Sequence, residues 1–260
     1  MNNVRPKKSL GQHFLTDRNI ALKIVGSLSE GCTNNVLEIG PGKGILTGIL
    51  LDNKQFNLKA VEIDKESVSF LKTEFHNRLE IIQDDFLRVE LNQIFTDCFK
   101  VIGNFPYNIS SQIFFKILSH RNMVSEVVCM LQKEVAIRIA SAPGNKNYGI
   151  LSVLLQSFYK IEYLFSVGPQ VFQPPPKVQS AVIRLRRNEV KKLECDEALF
   201  FQLVKSSFNQ RRKMLRNSLR NFLTDSFEDV ALLEKRPEQL SVDDFVRLTL
   251  LTGRQTQKLY

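Results

Sequence analysis

The stretch VLEIGPGKG, residues 36–44, decides the fold of this chain. A short apolar run leads into three glycines, and an apolar pattern at helical spacing follows through Leu46, Ile49 and Leu50. This order predicts a strand, a glycine turn and a helix. The glycines have the spacing G-x-G-x-G, whereas dinucleotide sites have G-x-G-x-x-G. This difference favours a nucleotide-like ligand without a pyrophosphate. A nicotinamide dehydrogenase is the main alternative for the glycine turn taken alone.

Strand patterns continue along the chain, with helical patterns between most of them. The candidates are residues 35–39, 57–63, 79–83, 100–104, 126–131, 160–167 and 178–186. Their alternation with helices predicts an α/β fold with a doubly wound, mostly parallel, seven-stranded sheet. The last two candidates are separated by Gly168, Pro169 and the proline run 174–176, which leaves no room for a crossover helix. We therefore expect these two strands to pair antiparallel.

Helical patterns flank the predicted sheet at both ends of the chain. Near the amino terminus, Thr16 or Asp17 is predicted to cap a helix. Past Arg187 the strand patterns stop, and helices are predicted over residues 196–208, over residues 210–222 and from Ser241, where residues 241–244 resemble a capping box. We therefore place a domain boundary near residue 188, with residues 1–188 as one domain and 189–260 as a small helical domain.

Carboxylates lie at the carboxyl ends of the first three predicted parallel strands. Glu38 suits a cationic amino-acid group such as the one S-adenosylmethionine carries, and Glu62 can accept from ribose hydroxyls. Asp84 and Asp85 follow the third strand and suit an adenine amine. Each signal has an ordinary alternative, since Glu62 could be a solvated strand end and the aspartates could cap the next segment. Because parallel strands end at one edge of a sheet, the combination predicts a single crevice for the methyl donor.

The fourth parallel strand runs into residues 104–107, Asn-Phe-Pro-Tyr. The 6-amino lone pair of adenine is delocalised into the ring and becomes nucleophilic only when its hydrogens are drawn out of plane. The Asn104 amide oxygen and the Pro106 carbonyl are suitable acceptors, and Tyr107 offers a stacking face. An ordinary strand end followed by a turn is the alternative for this tetrapeptide alone.

The chain of 260 residues is basic, with a net charge of +9, which favours a polyanionic partner. No acidic residue lies between positions 205 and 220. The basic cluster is Lys205, Arg211, Arg212, Lys213, Arg216 and Arg220. A solvated helix face is the plain interpretation, but the unbalanced charge favours contact with RNA phosphates.

The remaining composition favours a cytoplasmic enzyme without a metal. Cys32, Cys98, Cys129 and Cys195 are widely separated, so neither a zinc site nor a disulfide framework is expected. No stretch approaches the length of a membrane-spanning apolar helix, and the amino terminus lacks the apolar segment of a secretion signal. We expect no membrane partner.

Five motifs together resemble those of the ribosomal RNA adenine dimethyltransferases, specifically the kasugamycin-sensitivity methylases that act on small-subunit rRNA. They span nearly the whole chain: KSLGQHFL at 8–15, EIGPGKG at 38–44, GNFPYNIS at 103–110, VFQPPPKV at 171–178 and QRRKMLRNS at 210–218. Most relatives carry Leu in place of Phe105 and Thr in place of Ser111, and neither change removes an acceptor or an aromatic face.

The resemblance implies specific roles. The residues that would contact S-adenosylmethionine are His13, Leu15, Gly40, Glu62, Asp85 and Asn104. Asn104 and Pro106 would hold the target amine, and Tyr107 and Phe172 would stack around a flipped adenine. The implied substrate is two adjacent adenosines in the 3'-terminal hairpin loop of small-subunit rRNA, within a pre-assembled subunit, and we expect a monomer.

Two alternatives stay open from the sequence. A large-subunit rRNA adenine methylase of the macrolide-resistance type would share fold and chemistry. The arm residues 11–14, Pro41 and Asn108 favour the small-subunit group. A non-catalytic RNA-binding assembly factor is the second alternative, and the intact Gly40, Glu62 and Asn104 argue against it.

Overall fold

A computed structural model of the chain describes residues 4–31, 33–223 and 229–257. Cys32, one of the four cysteines considered above, lies outside the described residues. The chain divides into two compact units, one of Met1–Ala136 with Lys160–Arg187 and one of Ile137–Tyr159 with Asn188–Tyr260. Residues 137–159 thus group with the carboxyl-terminal helices, and the domain boundary near residue 188 stays a prediction.

The fold is built on a seven-stranded mixed sheet, as predicted. The described residues form nine strands: β1 Phe14–Leu15, β2 Asn35–Ile39, β3 Asn57–Val61, β4 Glu80–Ile82, β5 Phe99–Asn104, β6 Val124–Gln132, β7 Tyr159–Val167, β8 Phe172–Gln173 and β9 Ser180–Arg187. The large sheet has the order β4-β3-β2-β5-β6-β9-β7, and β2, β3, β4, β5 and β6 pair parallel. All seven predicted strands are confirmed.

The last two strands of the sheet run antiparallel to one another. β9 pairs antiparallel with β6 and lies next to β7. The Asn188 N–H donates to the Phe158 carbonyl at 3.0 Å, and Arg184 bonds to Glu162. Residue numbers therefore fall along one strand as they rise along the other, which is the antiparallel pattern. The expectation drawn from the missing crossover helix is confirmed.

Helices connect the strands and form most of the second unit. Their bounds are α1 Arg18–Val25, α2 Ile45–Asp52, α3 Lys65–Phe75, α4 Leu91–Ile94, α5 Ser110–Ser119, α6 Lys133–Ala140, α7 Ile150–Gln156, α8 Glu197–Asn209, α9 Leu215–Ser218, α10 Val230–Leu233 and α11 Val242–Gln257. Asp17 caps α1, accepting from the N–H groups of Asn19 and Ile20. Ser241 caps α11 in a reciprocal capping box with Asp244.

The predicted helix over residues 210–222 is wrong. α8 ends at Asn209, Met214 has an extended backbone, and only α9 and a 3₁₀ turn at Arg220–Phe222 follow. The Leu215 N–H donates to the Lys235 carbonyl at 2.9 Å. Leu215 and Leu219 are fully buried. Tertiary packing of these leucines and the bond to Lys235 override the local helical pattern.

A second, two-stranded sheet was not predicted. β1 pairs antiparallel with β8, with Leu15 opposite Phe172. The Thr16 N–H and hydroxyl both donate to the Val171 carbonyl. This pairing joins the amino-terminal arm to a segment more than 150 residues away. Two-residue strands carry no periodic signal that a sequence pattern could reveal.

Close contact between β2 and β5 brings the site-bearing strand ends together. A Cβ on Gly103 would lie 2.5 Å from the Ile39 carbonyl oxygen, so only glycine fits there. The buried run Val36–Ile39 and its neighbour Val101–Ile102 read as continuously apolar apart from Glu38, as expected for strands covered on both faces.

Gly103→Ala is predicted to lower the free energy of unfolding by about 1–3 kcal/mol, because the new methyl group must push β5 away from β2. Urea denaturation measures this. Gly48→Ala in α2 is the matched control, since its Cβ would meet only ordinary contacts at 3.7 Å and alanine favours helix. An equal effect of both substitutions would contradict the close-approach interpretation.

Candidate active site

A cavity of about 250 Å³ opens where the parallel strands end. Its wall includes the amino-terminal arm, the glycine turn and the residues that follow β3, β4 and β5. Every residue assigned above to S-adenosylmethionine lines it: His13, Leu15, Gly40, Glu62, Asp85 and Asn104. Glu38, Pro106 and Tyr107 line the same cavity. The edge of the sheet thus gathers side chains that are far apart in sequence.

The glycine turn lines the cavity with residues Gly40–Lys43. Gly40, Gly42 and Gly44 have φ values of 65°, 57° and 75°, a region that favours glycine. A Cβ on Gly42 would lie 2.9 Å from the Phe14 ring, whereas a Cβ on Gly40 would meet no atom of the described residues within 4 Å. The Gly40 position is therefore an open cradle that a ligand can approach closely.

Two buried carboxylates stand beside the glycine turn. Glu62 accepts from the Gly42 N–H at 3.1 Å and from the Asp64 N–H at 2.9 Å. Burial raises the pKa of Glu62, and the backbone hydrogen bonds oppose that rise. Glu38 is 1% exposed and accepts from the Thr47 hydroxyl at 2.7 Å. Burial raises the pKa of Glu38 to about 8, so a cation placed beside it would favour its ionised form.

Asn104 has a fixed orientation. Its Nδ2 donates to the His13 backbone carbonyl at 2.8 Å. A carbonyl oxygen can only accept, so the amide nitrogen must face His13 and the amide oxygen Oδ1 must face away from it. No described residue donates a hydrogen bond to that oxygen. The side chain therefore offers a free acceptor at the cavity wall.

Pro106 and Tyr107 complete the wall beside Asn104. The Pro106 carbonyl accepts from the Ile109 N–H at 3.2 Å, and its second lone pair remains for another donor. The Tyr107 hydroxyl lies 2.5 Å from the Ser180 hydroxyl, and the Tyr107 ring stacks on His13 with centroids 5.6 Å apart. Burial raises the pKa of Tyr107, so the phenol stays neutral.

Phe172, to which the resemblance assigns base stacking, lies in the apolar core. It is 4% exposed, pairs with Leu15 between β8 and β1, and belongs to the apolar core. It is absent from the residues that line the cavity. The described arrangement gives Phe172 a packing role, and base stacking by this ring stays a prediction.

The amino-terminal arm is held against the strand ends by a cluster that the sequence did not reveal. The Lys7 ammonium pairs with Asp64 and lies 3.1 Å from Glu66, and Gln12 donates to Asp64 at 3.4 Å. Burial opposes the charge on Asp64, but the hydrogen bonds from Lys7 and Gln12 bring its pKa below the ordinary value. His13 Nδ1 lies 2.8 Å from the Pro174 carbonyl, which adds a second anchor.

Asp85 caps the segment that follows it and also lines the cavity, and these are the two placements considered from the sequence. Its Oδ1 accepts from the Leu87 N–H at 2.9 Å, as in a turn cap, and the residue also lines the cavity. Its Oδ2 lies 3.9 Å from Arg88 Nε. The hydrogen bond from the Leu87 N–H thus fixes the Asp85 side chain at a position that lines the cavity.

The predicted RNA contacts lie in the second unit and differ from one another. Lys205, Arg212, Lys213 and Arg220 are exposed. Arg216 lies 3.7 Å from Glu234. Arg211 is engaged by the Lys146 carbonyl and by Glu238. The side chains of Arg212 and Lys213 make no hydrogen bond or ion pair with the described residues, whereas Arg211 is partly committed within the protein.

The described residues hold no group of three or more His, Cys, Asp or Glu side chains that could bind a metal ion. Within the same residues, no helix is long and apolar enough to cross a membrane.

The seven-stranded mixed sheet, with the glycine turn and the Asn-Phe-Pro-Tyr segment at one cavity, is the arrangement that the sequence led us to expect of a methyltransferase acting on a nucleobase. The sequence model of the ribosomal RNA adenine dimethylase family matches residues 3–252. The chain therefore belongs to the ribosomal RNA adenine dimethylase family, whose members are methyltransferase enzymes.

Full-length relatives agree. The chain is 52% identical over 99% of its length to a ribosomal RNA small subunit methyltransferase A of Parabacteroides distasonis, covering 98% of that protein. It is 54% identical over 96% of its length to the protein of the same name from Porphyromonas gingivalis, covering 99% of it.

Solved structures match the fold as well. A dimethyladenosine transferase from Plasmodium falciparum superposes with a TM-score of 0.80 at 27% identity, covering 94% of this chain and 98% of that one. The 23S rRNA methyltransferase ErmE superposes with a TM-score of 0.72 at 26% identity, covering 92% and 99%.

Glu38→Gln is predicted to change how stability depends on pH. The folded-state pKa of Glu38, about 8, lies above its ordinary value of 4.5, so folding favours the protonated form. The contribution to stability is complete below about pH 4.5 and is lost as pH rises to about 8. Glutamine keeps an acceptor for Thr47 but cannot ionise. Between pH 5 and pH 9 the free energy of unfolding should fall in both proteins. We expect the fall to be smaller in Glu38→Gln than in wild type by roughly 2–4 kcal/mol.

Urea denaturation at pH 5, 7 and 9 measures this difference. Glu74→Gln, at an exposed position of α3, is the control and should keep the wild-type pH dependence. Parallel curves for wild type and Glu38→Gln would show that Glu38 is ionised throughout.

Proposed function

We propose that this enzyme transfers methyl groups from S-adenosylmethionine to the 6-amino groups of two adjacent adenosines in the 3'-terminal hairpin loop of small-subunit rRNA. The product is dimethylated at both bases. The reaction belongs to maturation of the small ribosomal subunit in the cytoplasm, with a pre-assembled subunit as substrate and a monomeric enzyme. Residues 1–188 would carry the transfer and residues 189–260 the RNA contacts.

The single observation that carries the proposal is the orientation of Asn104. Its amide nitrogen is bound by the His13 carbonyl, so its oxygen is the group left to accept from an incoming amine. Acceptance by Oδ1 and by the Pro106 carbonyl would draw the two amine hydrogens out of the ring plane. The lone pair would then point along the line of transfer.

The donor side of the cavity fits S-adenosylmethionine. Glu62 is positioned by Gly42 and Asp64 to accept from ribose hydroxyls, and Asp85 can accept from the adenine amine of the cofactor. The open space above Gly40 suits close backbone contact, and Glu38 suits the cationic amino-acid group. When bound, this cofactor supplies an electrophilic methyl group on a positively charged sulfur.

Positioning and electrostatics account for the catalysis that the chain must provide. The acceptors at Asn104 and Pro106 stabilise positive charge that develops on the amine, and they are fixed before the reaction begins. Holding the amine in line with the methyl group removes the entropic cost of the encounter. No strong base is needed, because the methylated adenine ammonium is acidic and loses its proton to water.

The target base must leave its stack to reach Asn104. A hairpin loop lowers that cost to a few kcal/mol at most. The Tyr107 ring, supported by His13 on one side and Ser180 at its hydroxyl, can replace lost stacking by roughly 1–3 kcal/mol. These supports keep the ring in place, so little ordering is required when the base binds.

Small-subunit rRNA is favoured over large-subunit rRNA by the relatives. Those at 52% and 54% identity carry the small-subunit name, whereas ErmE is 26% identical. A non-catalytic assembly factor is disfavoured because the cavity keeps its open glycine cradle and its free amide acceptor. Methylation assays on purified small and large subunits distinguish a small-subunit target from a large-subunit target. Calorimetry with S-adenosylmethionine tests whether the protein binds the methyl donor, as an enzyme must and a non-catalytic assembly factor need not.

Asn104→Ala is predicted to lower the rate constant for methyl transfer by about 10²–10³-fold, because one preorganised acceptor is lost. RNA affinity should change little, since the side chain contacts a single base. Transfer of radiolabelled methyl groups, measured beside filter binding on small subunits, separates the two properties.

The double variant Arg212→Gln, Lys213→Gln should show the converse result. RNA binding weakens and the slope of log affinity against log salt falls by about two. The rate constant for methyl transfer to bound RNA should stay at the wild-type value.

If Asn104→Ala lost RNA binding and methyl transfer equally, Asn104 would not have the proposed role.

The RNA target is tested by mass spectrometry of rRNA from cells that lack the protein. Two adjacent adenosines near the 3' end of small-subunit rRNA should be unmethylated there and dimethylated in the parent strain. Full dimethylation at those positions without the protein would refute the proposed target.

A further inference from the structure

Arg211 differs from the neighbouring cations in where its guanidinium group points. Its Nη2 donates to the Lys146 backbone carbonyl, and its Nε lies 3.8 Å from Oε2 of Glu238. Arg212 and Lys213, the next two residues, are exposed, and neither side chain bonds to the described parts of the chain. The planar fork of Arg211 is therefore already used inside the protein.

The partner of Arg211 is a loop between α6 and α7, residues 142–147, which we call the clamped loop. The Gly144 N–H donates to the Glu238 carbonyl at 2.7 Å, and the Tyr148 N–H donates to the Asn145 carbonyl at 3.0 Å. The Asn147 N–H donates to the Asn145 side chain at 2.8 Å. Glu238 thus holds the loop through its own backbone and also pairs with the arginine that binds Lys146.

Lys146 is the cation that this arrangement presents. Its side chain is exposed and makes no hydrogen bond or ion pair with the described residues, while its carbonyl is fixed by Arg211. Arg212 follows Arg211 directly in the chain. The Lys146 backbone is therefore held by the residue that directly precedes Arg212 and Lys213, although 65 positions separate Lys146 from Arg211 in sequence.

We propose that Arg211 is a positioning residue that, together with Glu238, holds Lys146 as part of the RNA-phosphate-binding surface formed with Arg212 and Lys213. This inference rests on the proposed function, because it assumes that the second unit binds rRNA. It assigns Lys146 as a phosphate contact and removes that role from Arg211. It also gives an acidic residue, Glu238, a supporting part in binding a polyanion.

Removing the charge of Glu238 has opposite expected effects under the proposal and under an explanation by net charge alone. Removing a negative charge close to a basic surface should strengthen RNA binding if only net charge matters. Under the proposal, Glu238→Gln weakens binding instead, because Arg211 loses its ionic partner and no longer fixes the clamped loop. Oε2 of Glu238 is buried, and no residue in the described part of the chain donates a hydrogen bond to it, so this oxygen depends on its ionic pairing with Arg211.

The first experiment measures affinity for purified small subunits, taken from cells lacking the protein, over a series of salt concentrations. Glu238→Gln should weaken binding by at least about threefold. Glu234→Gln is the matched control, because its side chain is 58% exposed and lies 3.7 Å from Arg216. Its binding should be unchanged or tighter. Tighter binding by Glu238→Gln would overturn the proposal.

The second experiment separates a positioning role from a direct contact by means of the salt slope. Lys146→Gln should lower the slope by about one, and Arg211→Gln should lower it by the same amount. The double variant should lose no more than either single variant. A loss of about two in the double variant would mean that Arg211 contacts phosphate itself.

Arg211→Lys resolves the same question without removing charge. Lysine lacks the fork that joins the Lys146 carbonyl to Glu238, so the variant should behave like Arg211→Gln, whereas Arg212→Lys should stay close to wild type. A wild-type slope for Arg211→Lys would refute the positioning role. Circular dichroism and S-adenosylmethionine affinity confirm that each variant is folded. If wild-type protein showed no salt-dependent binding to the subunits, the proposed function itself would fail, independently of these variants.

Discussion

The close approach of β2 and β5 is the constraint on which the site depends. Gly103 packs against the Ile39 carbonyl, and the two strands end at the same edge of the sheet. The glycine turn that follows one strand and Asn104 at the end of the other therefore meet across a single cavity. A side chain at position 103 would separate the part of the cavity suited to the methyl donor from the part suited to the acceptor base.

The amino-terminal arm turns that edge into a defined site. The His13 carbonyl orients Asn104, its ring supports Tyr107, and its Nδ1 contacts Pro174. Lys7 and Asp64 hold the start of the arm at the end of β3. Burial raises the pKa values of Glu38 and Glu62, so these carboxylates destabilise the fold when they are ionised. A bound cationic ligand would offset this destabilisation, which is consistent with a binding role for this part of the cavity.

Periodicity and strand-end chemistry were sufficient to predict the sheet and most of the cavity, because parallel topology alone brings Glu38, Glu62, Asp85 and Asn104 to one edge. Contacts between distant segments could not be predicted from local patterns. The pairing of Leu15 with Phe172, the broken helix after Asn209 and the engagement of Arg211 by Lys146 and Glu238 all depend on residues far apart in sequence. From sequence, Arg211 and Arg212 are two equivalent cations. Only their surroundings in the folded chain distinguish them.

A crystal structure of the protein with S-adenosylhomocysteine and an adenosine-containing loop oligonucleotide would test the arrangement of donor and acceptor most directly. The ribose hydroxyls of the cofactor product should lie within hydrogen-bonding distance of Glu62. The 6-amino group of the target base should lie between Asn104 Oδ1 and the Pro106 carbonyl, with the Asn104 nitrogen still bound to His13. A purine bound away from this edge, or an Asn104 amide turned to present its nitrogen to the base, would contradict the proposed geometry.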